Sequence, residues 1–210
     1  MRKIISLIGF ISITVVVSGC SSAIHQIADE ELTPEQSDKI YNNLLVIGVY
    51  SDRSYRISSE TLFAEVLKNN GINASPTYDI LPNLDSLDSD EEIVRRLEGT
   101  NYDGVLAVAT IDEGYDYDLG DYYATKGMFS LLGVRTGRFY EMGSFIEWAG
   151  SGLYSLYAGL YDIKSLQPVW QITTDSETTG SESEDNKALA ELIVNRFRDV
   201  GLSKKLETNK

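Results

Sequence analysis

The chain has 210 residues and carries 32 acidic against 18 basic side chains, which gives a formal net charge of −14. Such an acidic chain is a poor binder of nucleic acids, because neutralising phosphates needs clustered lysine and arginine, and anionic lipid surfaces repel it. One cysteine and one histidine occur in the whole chain, which excludes Fe–S clusters and zinc sites built from these residues. We therefore expect no nucleic-acid partner and no cofactor.

Residues 1–19 have the layout of a secretory signal. Arg2 and Lys3 precede an apolar stretch of about 14 residues, which is shorter than the roughly 20 residues of a permanent membrane-spanning helix. The small residues Ser18 and Gly19 then precede Cys20, the only cysteine. The sequence therefore predicts a signal peptide over residues 1–19.

The four residues Val17-Ser18-Gly19-Cys20 resemble the lipobox of bacterial lipoproteins. The resemblance implies that the Cys20 thiol receives diacylglycerol, that the signal is cut before it, and that the new N-terminus is acylated. Several acyl chains give stable anchoring where one chain does not. Ser21 and Ser22 replace the Asp that retains such lipoproteins in the inner membrane of diderm bacteria, which implies an outer-membrane anchor facing the periplasm. The alternative is an ordinary secretory signal or membrane anchor with a chance cysteine.

Residues 20–40 are polar and hold few large apolar side chains, which predicts a lipidated tether between the membrane and a domain at residues 41–202. His25, the only histidine, lies in this tether, so no Ser–His nucleophile pair is expected in the domain. Residues 203–210 are polar and predict a flexible tail.

The first half of the domain alternates strands and helices. Residues 44–50 and 105–111 are nearly continuous apolar runs, typical of strands buried on both faces. Pro76 marks a strand over residues 75–80 as an edge strand, because proline cannot donate to a ladder. The alternation predicts parallel pairing through right-handed crossovers, with the two apolar strands adjacent and the Pro76 strand outside them.

Two helices are predicted between these strands. The first is capped by Ser58 or Ser59 and is ended by Gly71. The second begins at Ser89, which has capping-box spacing to Glu92, and ends at Gly99. The apolar stripe of the first helix contains Leu62, Phe63, Val66 and Leu67.

The second half of the domain predicts an antiparallel hairpin and a closing helix. The hairpin strands are residues 152–163 and 169–174. A polar loop at residues 175–186 follows, and then a helical stripe that Gly201 and Leu202 close. The expected fold is one α/β (α+β) domain with a single mixed β-sheet, a βαβαβ first half, an antiparallel hairpin and a C-terminal helix packed on the sheet.

The hairpin carries Leu160-Tyr161-Asp162-Ile163 and Val169-Trp170, and Val200-Gly201-Leu202 follow the last helix. With this order of elements, these residues resemble the small α/β domain of periplasmic lipoproteins such as the curli secretion protein CsgG, the penicillin-binding-protein activator LpoB and the N-terminal domain of TolB. The resemblance implies a scaffold and interaction domain without a catalytic centre.

Residues 112–123 concentrate acids among tyrosines. Asp112, Asp116, Asp118 and Asp121 are able to supply hard oxygen ligands to Ca²⁺ or another cation, although their spacing is not that of an EF-hand. Alternatively, acids of this segment act as the acid and base of a glycosidase. The third interpretation is a solvated strand end and loop whose tyrosines pack on the sheet.

Residues 114–150 are rich in glycine and aromatic side chains, and three interpretations stay open. The apolar residues pack in the core, form an exposed surface for a partner, or form a membrane-inserting hairpin like that of CsgG. Four charged residues in this stretch disfavour the membrane-inserting hairpin, because strands that cross a membrane rarely place charged side chains on the face that contacts lipid. These residues are Arg135, Arg138, Glu141 and Glu147.

The sequence favours a lipid-anchored periplasmic interaction or scaffold protein, accessory to an envelope assembly and not an enzyme. Its partners are the membrane, through the lipid on Cys20, and an envelope protein. The alternatives are a periplasmic ligand- or cation-binding module that uses residues 112–123 and, more remotely, a carboxylate-dependent glycan hydrolase.

Overall fold

The computed structural model describes residues 24–33, 39–50, 53–81, 95–111, 153–165, 167–177, 179 and 181–204. Residues 95–97 form a helical turn. The other elements, in chain order, are β1 (Ile24–Leu32), β2 (Asn43–Val49), α1 (Arg53–Asn69), β3 (Asn73–Pro76), α2 (Thr77–Ile80), β4 (Gly104–Ile111), β5 (Leu153–Asp162), β6 (Pro168–Glu177) and α3 (Glu182–Asp199).

The described strands form one mixed sheet in the order β1-β6-β5-β4-β2-β3. β2 pairs in parallel with both β3 and β4, whereas β4–β5, β5–β6 and β6–β1 are antiparallel pairs. The predicted fold class is confirmed: the βαβαβ half supplies the parallel strands and the hairpin supplies antiparallel ones. The two apolar strands are neighbours, and the Pro76 strand lies at the edge.

Both faces of β2 and β4 are buried, as the continuous apolar runs predict. On one face, Leu44, Val46 and Leu106 belong to the main core, which also contains side chains of α1 and α3. On the other face, Leu45 and Val105 are also buried. Burial of both faces explains why these strands show no polar alternation.

The two long helices end as predicted, but α1 begins earlier than expected. Gly71 and Gly201 have φ of 83°, a left-handed conformation that glycine adopts at low cost. The prediction that Ser58 or Ser59 caps α1 is wrong, because the helix already begins at Arg53. Ser58 lies within the helix, and its hydroxyl donates to the carbonyl of Tyr55 at 2.9 Å.

The edge strand β3 stops at Pro76, so the predicted strand over residues 75–80 is wrong from residue 77 onward. The chain turns into α2 instead, and the Leu81 amide donates to the Thr77 carbonyl at 2.7 Å. The reason lies in α1: the carboxylate of Glu60 accepts from the Thr77 hydroxyl at 2.8 Å and from the Tyr78 amide at 3.0 Å. This polar contact bends the chain away from the sheet.

Glu60 is the centre of a buried polar cluster between α1, β2 and α2. Its side chain is 0% exposed and pairs with Arg56 one turn earlier, with Nε 2.7 Å from Oε1. The Gly48 amide donates to the same oxygen at 3.1 Å. Together with Thr77 and Tyr78, these donors satisfy the carboxylate, as a buried charge requires.

The predicted loop at residues 175–186 is shorter than expected. β6 continues to Glu177, and α3 begins at Glu182 after Ser181, whose side chain accepts from the Glu184 amide. Thr174 and Ser176 lie buried in this part of β6, with their hydroxyl oxygens 2.9 Å apart. Because they satisfy each other, these polar residues extend the strand where the sequence favoured a loop.

The largest departure from the sequence analysis is β1. Residues 24–32, which the sequence assigned to the tether, form an edge strand that pairs antiparallel with β6. Most of its side chains are exposed, including Ile27 at 42%. At the other terminus, Ser203 is buried and its amide donates to Phe197, so the ordered chain extends past residue 202.

Candidate functional site

One end of the sheet gathers the ends of four strands, including the start of the strand that follows Cys20 in the sequence. β1 begins at Ile24, four residues after Cys20. Ile24 is paired with Glu177, the last residue of β6, which is also paired with Leu153, the first residue of β5. β4 also ends here, because its last residue, Ile111, is paired with Ser155. We call this the anchor end; the opposite end, where the β5–β6 turn lies, is the turn end.

His25 fastens the start of β1 at the anchor end. Its Nδ1 lies 2.7 Å from the Ser176 hydroxyl on β6, and its Nε2 lies 3.0 Å from the Asp185 carbonyl oxygen in the first turn of α3. One ring therefore bridges three elements. We call His25, Ser176 and Asp185 the β1 clamp.

The His25–Ser176 contact corrects the expectation that the domain contains no Ser–His pair. A carbonyl oxygen only accepts hydrogen bonds, so Nε2 carries the proton and Nδ1 accepts from the serine hydroxyl. This is the arrangement of a base and a nucleophile, but Ser176 is only 1% exposed. The Asp185 carboxylate accepts instead from the amide and the hydroxyl of Thr179, at 3.0 and 2.7 Å. The pair therefore joins strands and offers no accessible hydroxyl to a substrate.

Burial lowers the pKa of His25 below its ordinary value of 6.5, outweighing the hydrogen bond to the Asp185 carbonyl and the charge of Asp185, which both raise it. The folded protein therefore favours the neutral ring. A depressed histidine pKa contributes stability above the unfolded-state value of 6.5, and this contribution is lost as the pH falls through the folded-state value.

We expect His25→Ala to lower the free energy of unfolding by about 1–2 kcal/mol at pH 8, because two hydrogen bonds are lost. Urea denaturation of both proteins at pH 8 and pH 5 measures the effect. The difference is expected to shrink at pH 5, where the wild type must also protonate. Gln26→Ala, an exposed neighbour on β1, is the control, and an equal loss in both variants would contradict a clamp.

A second contact holds the other half of β1. The carboxylate of Glu30 accepts two hydrogen bonds from Arg196 of α3 in a bidentate ion pair. Nε lies 3.1 Å from Oε1, and Nη2 lies 2.5 Å from Oε2. The indole Nε1 of Trp170 donates to the same carboxylate at 2.8 Å. Burial alone would raise the pKa of Glu30, but these hydrogen bonds outweigh it and lower the pKa. β1 is thus tied to β6 and α3 at two points.

At the turn end, Asp162 organises the connection between β5 and β6. One carboxylate oxygen accepts from the amides of Lys164 and Ser165, at 3.0 and 2.8 Å. The other pairs with Lys39 and accepts from the Tyr41 hydroxyl at 3.2 Å. Burial would raise the pKa of Asp162, but the Lys39 hydrogen bond and the two amides outweigh it and lower the pKa to about 2.

We expect Asp162→Asn to lower the free energy of unfolding by about 2 kcal/mol at pH 7, because a drop in pKa from 3.8 to about 2 stabilises the ionised form by roughly that amount. The contribution is complete above the unfolded-state pKa of 3.8 and is lost as the pH falls towards 2. Denaturant titrations at pH 7 and pH 2.5 test this. Asp175→Asn, on an exposed residue of β6, should change stability little, and a pH-independent difference for Asp162→Asn would refute the assignment.

The other candidate residues from the sequence are not described by the structure. Cys20 lies outside the described residues, and so do Asp112, Asp116, Asp118 and Asp121. The stretch 114–150, with its three interpretations, also lies outside them. Within the ranges that the structure describes, no group of three or more His, Cys, Asp or Glu side chains is placed to hold a metal ion. None of the helices found in those ranges is both long and apolar enough to cross a membrane.

Sequence reasoning missed β1 and its clamp because the strand lacks an apolar pattern. Leu32 is the one apolar residue of β1 that is recorded as packing against the core, and the contacts at the start and middle of the strand are made by the polar residues His25 and Glu30. A weak signal was present, because the stretch contains no proline or glycine. The spacing of five between the two residues hides their shared face, which depends on a bulge between Ile27 and Asp29. Without the fold, that signal does not distinguish a strand from a polar tether.

Comparison with known proteins adds structural similarity at low sequence identity. No protein-family model matches the sequence, and no curated protein matches it. The PelC dodecamer from Paraburkholderia phytofirmans is similar over 87% of this chain and 99% of its own, with 12% identity and a TM-score of 0.42. The lipoprotein GNA1162 from Neisseria meningitidis is similar over 75% of this chain and 98% of its own, with 13% identity and a TM-score of 0.39.

Proposed function

We propose that this chain is a lipid-anchored protein of the bacterial cell envelope that serves as an interaction or scaffold subunit of an envelope assembly. The observation that carries the proposal is the lipobox-like sequence ending in Cys20, which a folded strand follows after only three intervening residues. The location we propose is the periplasmic face of the outer membrane, because Ser21 and Ser22 follow the cysteine. The partner we propose is another envelope protein, which the anchored domain meets at raised effective concentration.

Three polar side chains of the described residues hold elements of the fold in fixed positions. Glu60, Asp162 and His25 are each engaged by partners that join different segments of the fold. Their hydrogen bonds are used to position β2, α2, the β5–β6 turn and β1.

The test is to replace Cys20 by Ser behind a signal peptide that is cleaved without lipid attachment. We expect the wild type to stay in the membrane fraction after a high-salt wash and the Cys20→Ser protein to become soluble, since only the acyl chains hold it. Ser21→Asp is the matched variant: it should keep the lipid and remain membrane-bound, but move to the inner membrane of a diderm host. A mature Cys20→Ser protein that stays membrane-bound would refute the anchoring.

A further inference from the structure

We propose that the outer edge of β1 is a docking surface for an extended, basic segment of another protein, which adds a strand to the sheet beside β1. The segment pairs with β1 through backbone hydrogen bonds and places lysine or arginine next to the acids of the edge. The proposal deepens the proposed function and rests on it, because an interaction subunit needs a surface for its protein partner.

The two edges of the described sheet differ in how well they accept a further strand. β3 has four residues and ends at Pro76, which has no amide hydrogen to donate to a ladder. β1 has nine residues without proline, and among the strands that the structure describes only β6 pairs with it. Short length and proline are features that keep an edge from pairing, and β1 has neither.

The second half of β1 presents backbone hydrogen-bonding groups in strand geometry. A bulge near the middle of β1 shifts the register once, and residues 29–32 then pair with β6 without interruption. The Thr33 amide donates to the Val169 carbonyl at 2.8 Å, so it points towards β6. Because successive residues of a strand direct their backbone groups to opposite sides, those of Leu32 and Glu30 point away from β6. These donors and acceptors match the backbone of an added strand.

Contacts with β6 and α3 hold this edge in place before a partner binds. The Glu30 carboxylate is fixed by Arg196 and by the indole of Trp170, and His25 fixes the start of the strand. An edge that is already ordered loses little conformational freedom on binding, which favours the docking of an extended chain.

The side chains along the edge indicate which kind of strand it fits. Asp29 and Glu31 are exposed on one face of the sheet, and the exposed Asp175 and Glu177 of β6 lie on the same face. Neither β1 nor β6 contains lysine or arginine. Opposite charges on neighbouring strands stabilise their pairing, whereas like charges destabilise it. A partner strand with basic side chains on this face is therefore favoured.

The opposite face of the edge and the total charge of the chain narrow the partner further. Ile27 lies two residues after His25, on the face that contacts α3, and is 42% exposed, which suits an apolar side chain of the added strand. A second copy of this chain would bring another net charge of −14, which disfavours pairing of two β1 edges. The partner that fits best is a foreign strand in which basic residues alternate with apolar ones.

The test adds a synthetic peptide to the full chain in detergent micelles and follows amide hydrogen exchange by NMR. The peptide has about six residues, the usual length of a strand, and alternates lysine with valine. We expect it to slow the exchange of the outward-pointing amides of Glu30 and Leu32 several-fold, because they gain acceptors. The Thr33 amide, which already donates to Val169, should change little.

Two controls separate the contribution of charge from that of backbone pairing. A peptide with glutamate in place of lysine should leave the exchange unchanged. The variant Asp29→Asn with Glu31→Gln should bind the lysine peptide several-fold more weakly. The matched variant Glu65→Gln with Glu98→Gln neutralises two exposed acids outside β1 and β6 and should keep the binding of the unmodified chain.

The proposal is overturned if the lysine peptide leaves the Glu30 and Leu32 amides unprotected, or if it protects amides of β3 to the same degree. Protection of these β1 amides that rises with protein concentration without any peptide would identify a second copy as the occupant and overturn the basic partner. The lipid takes no part in this measurement. Failure of the docking surface is therefore distinguished from failure of the anchoring, which Cys20→Ser tests.

Discussion

Replacing Glu60 by Ala is expected to lower the free energy of unfolding by about 3–5 kcal/mol, because removing one partner of a buried ion pair leaves the other charge uncompensated. Arg56, only 3% exposed, would lose the carboxylate 2.7 Å from its Nε. The amides of Gly48 and Tyr78 would lose their acceptor as well. Since total stabilities are about 5–15 kcal/mol, this one change would remove a large share of the stability of the protein.

Urea denaturation of the purified protein measures this loss, and the chain offers a matched control. Glu65 lies on the same helix and is exposed, so Glu65→Ala should change stability by about 0.5 kcal/mol or less. The double variant Arg56→Met with Glu60→Leu should recover part of the loss, because removing both charges avoids an unpaired one. Equal losses in Glu60→Ala and Glu65→Ala would contradict the role of the buried pair.

Replacing Trp170 by Ala is expected to cost about 3–5 kcal/mol, as for other large aromatic side chains removed from a core. Trp170 lies in β6 and is almost fully buried. Its ring packs edge-to-face on Phe197 of α3, with ring centroids 4.9 Å apart. Its Nε1 donates to Glu30 of β1 at 2.8 Å, so the residue joins three elements at once.

The variant Trp170→Phe separates packing from hydrogen bonding. It keeps an aromatic ring in the core but loses the donor to Glu30, and we expect it to cost about 1.5–3 kcal/mol, the usual value for a hydrogen bond to a charged group. Thermal and urea denaturation compare the two variants. A loss for Trp170→Ala no larger than for Trp170→Phe would show that the packing against Phe197 contributes little.

The parts of the fold that the sequence predicted are those with a strong apolar pattern. β2 and β4 were predicted as central neighbours because their side chains are apolar on both faces, as a strand that is covered on both faces requires. The ends of α1 and α3 were predicted because Gly71 and Gly201 stand where a left-handed residue is needed. In these places local preference and tertiary packing agree.

The parts that the sequence did not predict are formed by polar side chains acting at long range. α2 replaces residues 77–80 of the predicted edge strand. The carboxylate of Glu60, 17 residues before Thr77, accepts a hydrogen bond from the Thr77 hydroxyl and holds the chain there. β1 forms because it pairs with the outer edge of β6 and because His25 is hydrogen-bonded to Ser176, 151 residues later in the chain. Neither partner is visible in a local window of sequence.

For the candidate site, the sequence offers a chemistry but no geometry. Lipid attachment at Cys20 stays a prediction from the neighbours of this cysteine and its position in the chain. The sequence does not predict how short the connection between Cys20 and the first strand is. A polar segment is typical of a flexible tether, and only the pairing of Ile24 with Glu177 shows that a strand begins there. The fold therefore leaves three residues between Cys20 and the first strand, where the sequence predicted a tether over residues 20–40.

The most direct test of the central claim is mass spectrometry of the N-terminal peptide of the protein purified from native membranes. We predict that this peptide begins at Cys20 and carries the mass of a diacylglycerol thioether, with a further acyl group on the new N-terminus. A peptide that begins elsewhere, or an unmodified Cys20, would contradict the lipid anchor and with it the proposed place of this domain at the membrane.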